Sequence, residues 1–313
     1  MNTIYFDATV TDELRRNELY QGQIFVYSPS PSSRALCEFA RELIQDAFGF
    51  HPREAQYRMP VEEYVKILAE LKPKFIHHPK SKQFIQRILE EFGCDLKKTY
   101  FDVPRMRTAT SDEYLTSGIA YAFHPHRDTW YSAPMCQLNW WLPIYDIQPE
   151  NCLAFHPRYW SQPLRNGSSR YNYYEWNKTS RKNAAQHIKT DTRDQPRPEE
   201  SVELDPQTRI VCPVGGILLF SGAQLHSTVP NTSGYTRFSI DFRTVHWNDI
   251  VAKTGAPNID SASTGTTLRD FICAADLAPI SEELVLPFDD SAATDGVLVF
   301  APPEGNGKPH AGS

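Results

Sequence analysis

Two spacings of apolar residues divide the chain. In the first part they recur at three and four positions, the repeat of an amphipathic helix. In PSSRALCEFARELIQDAFGF, residues Leu36, Phe39, Ala40, Leu43 and Phe48 approximate one stripe, and Ser32 or Ser33 is placed to cap its start. PVEEYVKILAELKPKF opens on Pro60 at a first-turn position and is predicted to stop at Pro73, where the missing N–H breaks the ladder. SKQFIQRILEEFG sets Phe84, Ile85, Ile88, Leu89 and Phe92 on one face and ends at Gly93. A short strand candidate, QIFVYSP, precedes these helices.

From residue 99 the runs become short, β-branched and aromatic: TYFDVPRMRTAT, GIAYAFHPHRD, MCQLNWWLPIYDI, CLAFHP, TRIVCPVGGILLFSG and TRFSIDFRTVHW. Such runs, separated by turn signals, predict a β sandwich or barrel buttressed by the helices of residues 1–98. A polar segment, residues 160–205, interrupts the β region. An insertion of that length in a compact domain is more often a lid or binding loop than an accident. The stretch 246–300 reads as a loop-rich extension of the same domain, and 301–313 as a disordered tail.

Composition narrows the class. With 40% apolar and 22% charged residues the 313-residue chain has a globular profile, and its net charge of −6 gives no reason to expect nucleic acid. The six cysteines contain no Cys-x-x-Cys pair, which argues against a disulfide framework and a thiolate zinc site. No basic segment followed by an apolar run opens the chain, and no apolar stretch approaches the roughly 20 residues that span a bilayer. The expectation is a cytoplasmic monomer or homodimer that acts on a small molecule, without membrane or nucleic-acid partners.

The densest candidate chemistry is FHPHRDTWY, residues 123–131. Along a strand, residues two apart share a face, so His126 and Asp128 project together. His226, after the strand GILLF and a glycine-containing turn, is the best third ligand. Two histidines and a carboxylate form the facial triad of non-haem iron(II) sites and leave coordination positions open, as a catalytic metal requires. Further on, YTRFSIDFRTV alternates Arg237, Ser239, Asp241 and Arg243 with Phe238, Ile240, Phe242 and Thr244. One face of this strand is polar. An arginine held there offers a fork to a carboxylate, and the hydroxyl two residues on adds a hydrogen bond.

The order His-x-Asp, distal His, then Arg-x-Ser resembles the Fe(II)/2-oxoglutarate-dependent dioxygenases, and within them the phytanoyl-CoA-hydroxylase-like branch. The likeness covers about residues 99–245, with CQLNWWLPIYDIQPENCLAFHP and GGILLFSGAQLHSTVPNTSGYTRFSIDFRTV matching characteristic segments. It implies a mainly β fold: a double-stranded β-helix (jelly-roll or cupin-like) core with N-terminal helices packed on the major sheet. It further implies that His126, Asp128 and His226 bind Fe(II), and that Arg237 and Ser239 hold the distal carboxylate of 2-oxoglutarate. With O2, oxidative decarboxylation would yield succinate and CO2 and oxidise a substrate C–H bond. Because Asp128 occupies the position that related halogenases leave to a halide, hydroxylation is the expected outcome. Desaturation, dealkylation or ring formation are alternatives.

Other residues carry two readings. Gln137 and Asn139, two apart on the next strand, are placed to donate to the 2-oxo acid or substrate, or to form structural hydrogen bonds. His124 reads as a pocket residue or as packing, and His156 as structural or as a substrate contact. Trp130, Tyr131 and Trp141 build core or wall a substrate pocket. Arg243 holds a substrate anion or an ion pair, and Arg105 and Arg107 share that ambiguity. At the edge of the insertion and within it, Arg158, Arg165, Arg170 and Tyr173 either close over a polar, amino-acid-like substrate or form a solvated face. The competing functional classes are a cupin-like metal isomerase or hydrolase, and a non-catalytic binding protein on the same fold.

Overall fold

A computed structural model describes residues 3–118, 124–180, 186–188 and 190–290. The predicted tail, 301–313, lies outside these, as do residues 119–123 of the predicted strand GIAYAFHPHRD and parts of the insertion. The chain opens with β1 (Ile4–Phe6), α1 (Asp12–Tyr20), β2 (Ile24–Tyr27), α2 (Pro31–Phe48), α3 (Val61–His77) and α4 (Pro79–Glu91). The strands that follow are β3 (Thr99–Phe101), β4 (Arg105–Ala109), β5 (Leu138–Pro143), β6 (Leu153–Phe155), β7 (Thr208–Ile210), β8 (Ile217–Ser221), β9 (His226–Thr228), β10 (Arg237–His246) and β11 (Ile272–Cys273).

One sheet has the order β1-β2-β8-β5-β10-β3-β11, with β4 also on β10, and a second has the order β7-β6-β9. β10, ten residues long, is the axis of the larger sheet. β5 runs antiparallel along one side of it, and β3 and β4 follow one another along the other.

Period-two alternation gives the large sheet two unlike faces. Leu138, Trp140, Leu142, Phe238, Ile240 and Phe242 point to the helices and join Leu36, Leu68, Phe75 and Ile88 in the main core. Trp140 stacks on Phe242 with ring centroids 5.4 Å apart. Ile24, Val26, Trp141, Leu218 and Phe220 point the other way and meet Leu153, Phe155 and Ile210 of the smaller sheet. The molecule is therefore layered, helices on a large sheet and that sheet on a small one. The predicted helical buttress and β core both stand at this level.

Three details of the helices depart from expectation. The cap of α2 is Ser30, which exchanges hydrogen bonds with Ser33, rather than Ser32 or Ser33. Residues 12–20 form α1, whose apolar stripe is too thin to announce it; its buried side includes Arg15 and Arg16, both paired with Asp12. α3 runs through Pro73 to His77. Leu71 and Phe75 on either side are buried, so packing holds the helix together. Pro73 and Ala69, whose carbonyl loses its partner, lie on the side that lines a cavity, where the ring's clash has room to relax. Among the described residues, no helix is long and apolar enough to cross a membrane.

Phe242 is fully buried between the sheet and the helices. Truncation by Phe242→Ala is expected to cost about 3–5 kcal/mol of unfolding free energy, read as a lower urea midpoint at unchanged slope.

Candidate metal and co-substrate site

His126 and His226 meet through their backbones. The amide of each donates to the carbonyl of the other at 3.0 Å, and their rings lie 4.3 Å apart between centroids. The expected strand through 126–128 is only this isolated bridge; Asp128 begins a short 3-10 turn that runs to Tyr131. Arg127 between them is extended (φ −110°, ψ 142°), so His126 and Asp128 still share a side before the chain turns. The Asp128 amide donates to the Gly222 carbonyl at 2.8 Å, at the turn that follows β8. A methyl group on Gly222 would sit 3.2 Å from Gln137 Nε2 and 3.4 Å from Asp128 Cβ, so this close approach suits glycine.

Asp128 Oδ1 lies 3.4 Å from His126 Nε2 and 3.9 Å from His226 Nε2. Ligand atoms of all three residues fall within 4.8 Å of one another, and all three residues are buried. His126 Nδ1 is 2.8 Å from the His124 carbonyl and His226 Nδ1 is 3.0 Å from that of Gln224. A carbonyl can only accept, so each Nδ1 carries a proton and Nε2 is the ring atom turned inward. Burial, with the neighbouring His126, pushes His226 down to about 4, which keeps it neutral. Burial opposes ionisation of Asp128. The charge of Arg243 nevertheless holds its carboxyl well below the usual range. Two imidazoles and one carboxylate, pre-aimed at a common point, fit a divalent cation of the first transition row.

Gln137 and Asn139 serve the carboxylate. Asp128 Oδ2 accepts from Gln137 Nε2 at 3.0 Å and Asn139 Nδ2 at 2.8 Å, and Arg243 Nε stands 3.5 Å away. These donors hold one carboxylate oxygen and leave Oδ1 to the imidazoles. Strand register explains the convergence, since Arg243 lies opposite Asn139 in the β10–β5 pair. Arg243 also binds Asp102 at 3.1 Å, so it takes the ion-pair reading over that of a substrate clamp. Arg105 and Arg107 are likewise paired, with Asp102 and Asp241.

Arg237 is different. It is 4% exposed and lines the same cavity as the triad, of about 560 Å³, yet no carboxylate pairs with it among the described residues. Its Nη1 donates to the carbonyls of Asn151 at 3.0 Å and Cys152 at 3.3 Å, and the guanidinium lies 5.6 Å from the Trp141 ring centroid. Arg237 Nε and Ser239 Oγ are buried without a hydrogen-bond partner among the described residues. Burial pushes Arg237 down to about 10. An arginine desolvated this far calls for an anion.

The remaining candidates separate. Tyr131 and Trp141 line the cavity. Trp130 does not reach it: its ring is buried with Tyr159, Leu164 and Leu225, and its Nε1 donates to Asp260 at 2.7 Å. His156 is buried and does not line the cavity, with Nε2 3.0 Å from Ser227 Oγ. Arg158 pairs with Glu203 at the surface, and Arg165 and Arg170 pair with Glu200 and Glu199, so these three do not close over the site. His124 Nε2 lies 2.8 Å from the Pro196 carbonyl and fastens the insertion to the metal-binding segment. Within the insertion, Tyr171, Tyr173, Trp176, Asn177, Arg193 and Gln195 line the cavity.

Sequence reasoning missed Arg127 and Asp260. Between the two ligands, the Arg127 side chain turns away from the site to reach Asp260 at 3.1 Å and the Ala223 and Gln162 carbonyls at 2.7 and 3.1 Å. Asp260 also accepts from Trp130 Nε1 and the Leu164 amide, tying the C-terminal extension and the insertion to the metal-binding turn. No local pattern signals this pair, whose members are far apart in the chain.

Asp260→Ala leaves Arg127 buried and unpaired, and is expected to cost about 3–5 kcal/mol in chemical denaturation, with Asp260→Asn losing less. His124 generates a pH effect. Burial first, and then the neighbouring His126, push it down to about 3, whereas an unfolded histidine titrates near 6.5. As pH falls below about 6.5 the unfolded chain takes up a proton that the folded one refuses, so stability declines from there toward about pH 3. Urea unfolding at pH 7 and pH 5 should show that decline, and His124→Gln should reduce it.

No family model and no curated protein matches the chain. Among solved structures it is similar to EvdO2 from Micromonospora carbonacea var. aurantiaca complexed with 2-oxoglutarate, at 14% identity over 77% of this chain and 92% of that one, with a TM-score of 0.43. It is also similar to the epimerase SnoN in complex with Fe3+, alpha ketoglutarate and nogalamycin RO, at 12% identity over 87% and 98%, with a TM-score of 0.37. AviO1 from Streptomyces viridochromogenes Tue57 matches at 11% identity over 80% and 100%, with a TM-score of 0.37. At these scores the likenesses identify no reaction.

Proposed function

We propose that the protein is an Fe(II)- and 2-oxoglutarate-dependent oxygenase with a double-stranded β-helix core, which hydroxylates a small polar metabolite. The observation that carries this reading is the pairing, in one cavity, of an oriented His126–Asp128–His226 set with Arg237, a buried guanidinium that lacks a carboxylate partner among the described residues. A cupin-like isomerase or hydrolase needs the first but has no use for the second. The order of motifs favours the phytanoyl-CoA-hydroxylase-like branch. The sequence offers no phosphate-binding loop for CoA, so the substrate is read as a free metabolite.

When bound, iron and the 2-oxo acid together would supply the oxidising chemistry, with loss of CO2 and formation of succinate. The protein's own residues bind, orient and exclude. Arg237 would grip the distal carboxylate of the 2-oxo acid through the guanidinium edge that carries Nε, and Ser239 Oγ, two residues on along β10 and likewise without a partner among the described residues, would add a hydrogen bond. Gln137, Asn139 and Arg243 hold Asp128 Oδ2 and fix the direction of Oδ1. Phe220 packs edge-on against His226 at 4.9 Å between centroids and, with Leu153 and Trp141, keeps that side of the cavity apolar. These groups set the geometry of the site before any substrate arrives.

Anaerobic addition of Fe(II) and 2-oxoglutarate is expected to produce a weak visible charge-transfer band, lost in His126→Ala and Asp128→Ala. Arg237→Gln should weaken 2-oxoglutarate binding about a hundredfold and leave metal affinity within about threefold. Equal losses of metal and 2-oxoglutarate would remove the clamp assignment. No band in the wild type, and no succinate under air with any substrate tried, would sink the reading.

A further inference from the structure

The cavity has two unlike sides, one at each histidine of the triad. On the side of His226, Arg237 Nη2 donates at 3.4 Å to Oγ1 of Thr228, two residues along β9 from the ligand, and Trp141, Leu153 and Phe220 complete the wall. Under the assignment of Arg237, the co-substrate takes that side. On the side of His126 the wall is a run of rings. The Tyr131 ring stands at 86° to His126 with centroids 5.7 Å apart, Tyr171 follows at 5.4 Å from Tyr131, and Trp176 at 5.9 Å from Tyr171. All three aromatic side chains line the cavity.

Two segments build this run. Tyr131 ends the short 3-10 turn that begins at Asp128, so the metal-binding segment itself sets its place. Tyr171 and Trp176 belong to the insertion, where Tyr171, Tyr173 and Tyr174 form a buried aromatic cluster against which Tyr131 and Trp176 pack. Pro196 of the insertion joins the two segments, because its carbonyl accepts from the Tyr131 hydroxyl at 3.1 Å. The ladder therefore starts beside a metal ligand and leads into the insertion.

The polar groups of this wall are turned to protein partners. Tyr131 directs its hydroxyl to Pro196, and Tyr173 donates its own to Asp270. Arg193, whose guanidinium lies 5.1 Å from the Trp176 ring centroid, pairs with Asp191, and Gln195 Nε2 donates to the same carboxylate at 3.0 Å. Asn177 Nδ2 donates to the Tyr173 carbonyl at 3.0 Å. The wall offers ring surface, which recognises a ligand by shape and stacking rather than by hydrogen bonds. A saccharide suits such a wall poorly, because each hydroxyl drawn out of water needs a partner. A flat aromatic ring needs none.

We propose that Tyr131, Tyr171 and Trp176 form the substrate wall of the cavity, and that the substrate carries a planar aromatic ring that lies along them with one edge toward the triad. Tyr131 and Trp176, at the two ends of the run, determine specificity for that ring. This rests on the oxygenase reading in one respect, the assignment of the Arg237 side to the co-substrate.

The test uses the full chain, with and without Fe(II) and 2-oxoglutarate under anaerobic conditions, and three probes: 2-naphthylmethanol, its decahydro counterpart and methyl β-glucopyranoside. Ligand-detected NMR titration reads their binding, and the visible band reads the co-substrate separately. The flat probe is expected to bind about fivefold or more tightly than the saturated one, as one or two ring–ring contacts imply. Both carry the same hydroxyl, and the saturated body is the more apolar, so exclusion from water alone would favour it instead. Tyr131→Leu and Trp176→Leu, each replacing a ring by an aliphatic side chain, should remove the preference, and Tyr131→Phe should retain it. Either leucine variant suffices where the other fails to fold. Trp176→Leu should keep the band, since Trp176 stands beyond two other rings from His126. Equal binding of the flat and saturated probes would overturn the inference, as would tighter binding of the glucoside, a preference that survives either leucine variant, or loss of the band in Trp176→Leu. A preference in a wild-type protein that shows no band would uphold the wall and sink the oxygenase reading alone; a band without a preference would do the reverse.

Discussion

A carboxylate excluded from water stays ionised only if donors surround it, and the site is arranged around that requirement at Asp128. One oxygen takes the amide donors of Gln137, just before β5, and Asn139 on it, and the nearby charge of Arg243; the other faces two imidazole nitrogens. The imidazoles are in turn fixed through Nδ1 by backbone carbonyls two residues back. Gln137 Nε2, Asn139 Nδ2 and two backbone carbonyls orient the ligands from behind. This leaves a place for a cation, and it explains why charged and amide residues occupy the inward face of an otherwise apolar sheet.

β10 carries the consequences through the molecule. Its apolar positions close the helix-covered core, and its polar positions Arg237, Asp241 and Arg243 line the cavity. Because it is the axis of the large sheet, the same strand that anchors the core positions both Arg237 and the support of Asp128. Stability and site geometry are coupled through one element. The clamp of Arg127 on Asp260 repeats the device on the other side of the metal-binding turn, where a buried ion pair and carbonyl contacts hold the insertion and the C-terminal extension in place.

Much of this was legible because it is periodic. The helices of the first hundred residues, the two-faced β10, and the common side of His126 and Asp128 all follow from spacings of 3.6 and two. The exceptions have identifiable causes. α3 outlasts Pro73 because burial on both sides outweighs one missing hydrogen bond at the cavity edge. α1 escaped notice because its buried positions include arginines rather than a hydrophobic stripe. The strand expected through Asp128 shortened to a bridge and a turn, yet one extended residue, Arg127, was enough to keep the ligand pair together.

The sequence by itself determined which residue types could meet a metal and a carboxylate, and which faces they share, since those are properties of neighbours along one strand. Tertiary structure alone decided what each group touches. Gln137, Asn139 and Arg243 serve Asp128 through the register between β5 and β10; His124 holds Pro196; Trp130 packs beneath the turn; and Lys72 enters the cavity from a helix read as mere buttress. Hydrogen-bond partners and burial are set by contacts between distant segments. Local spacing carries no information about them.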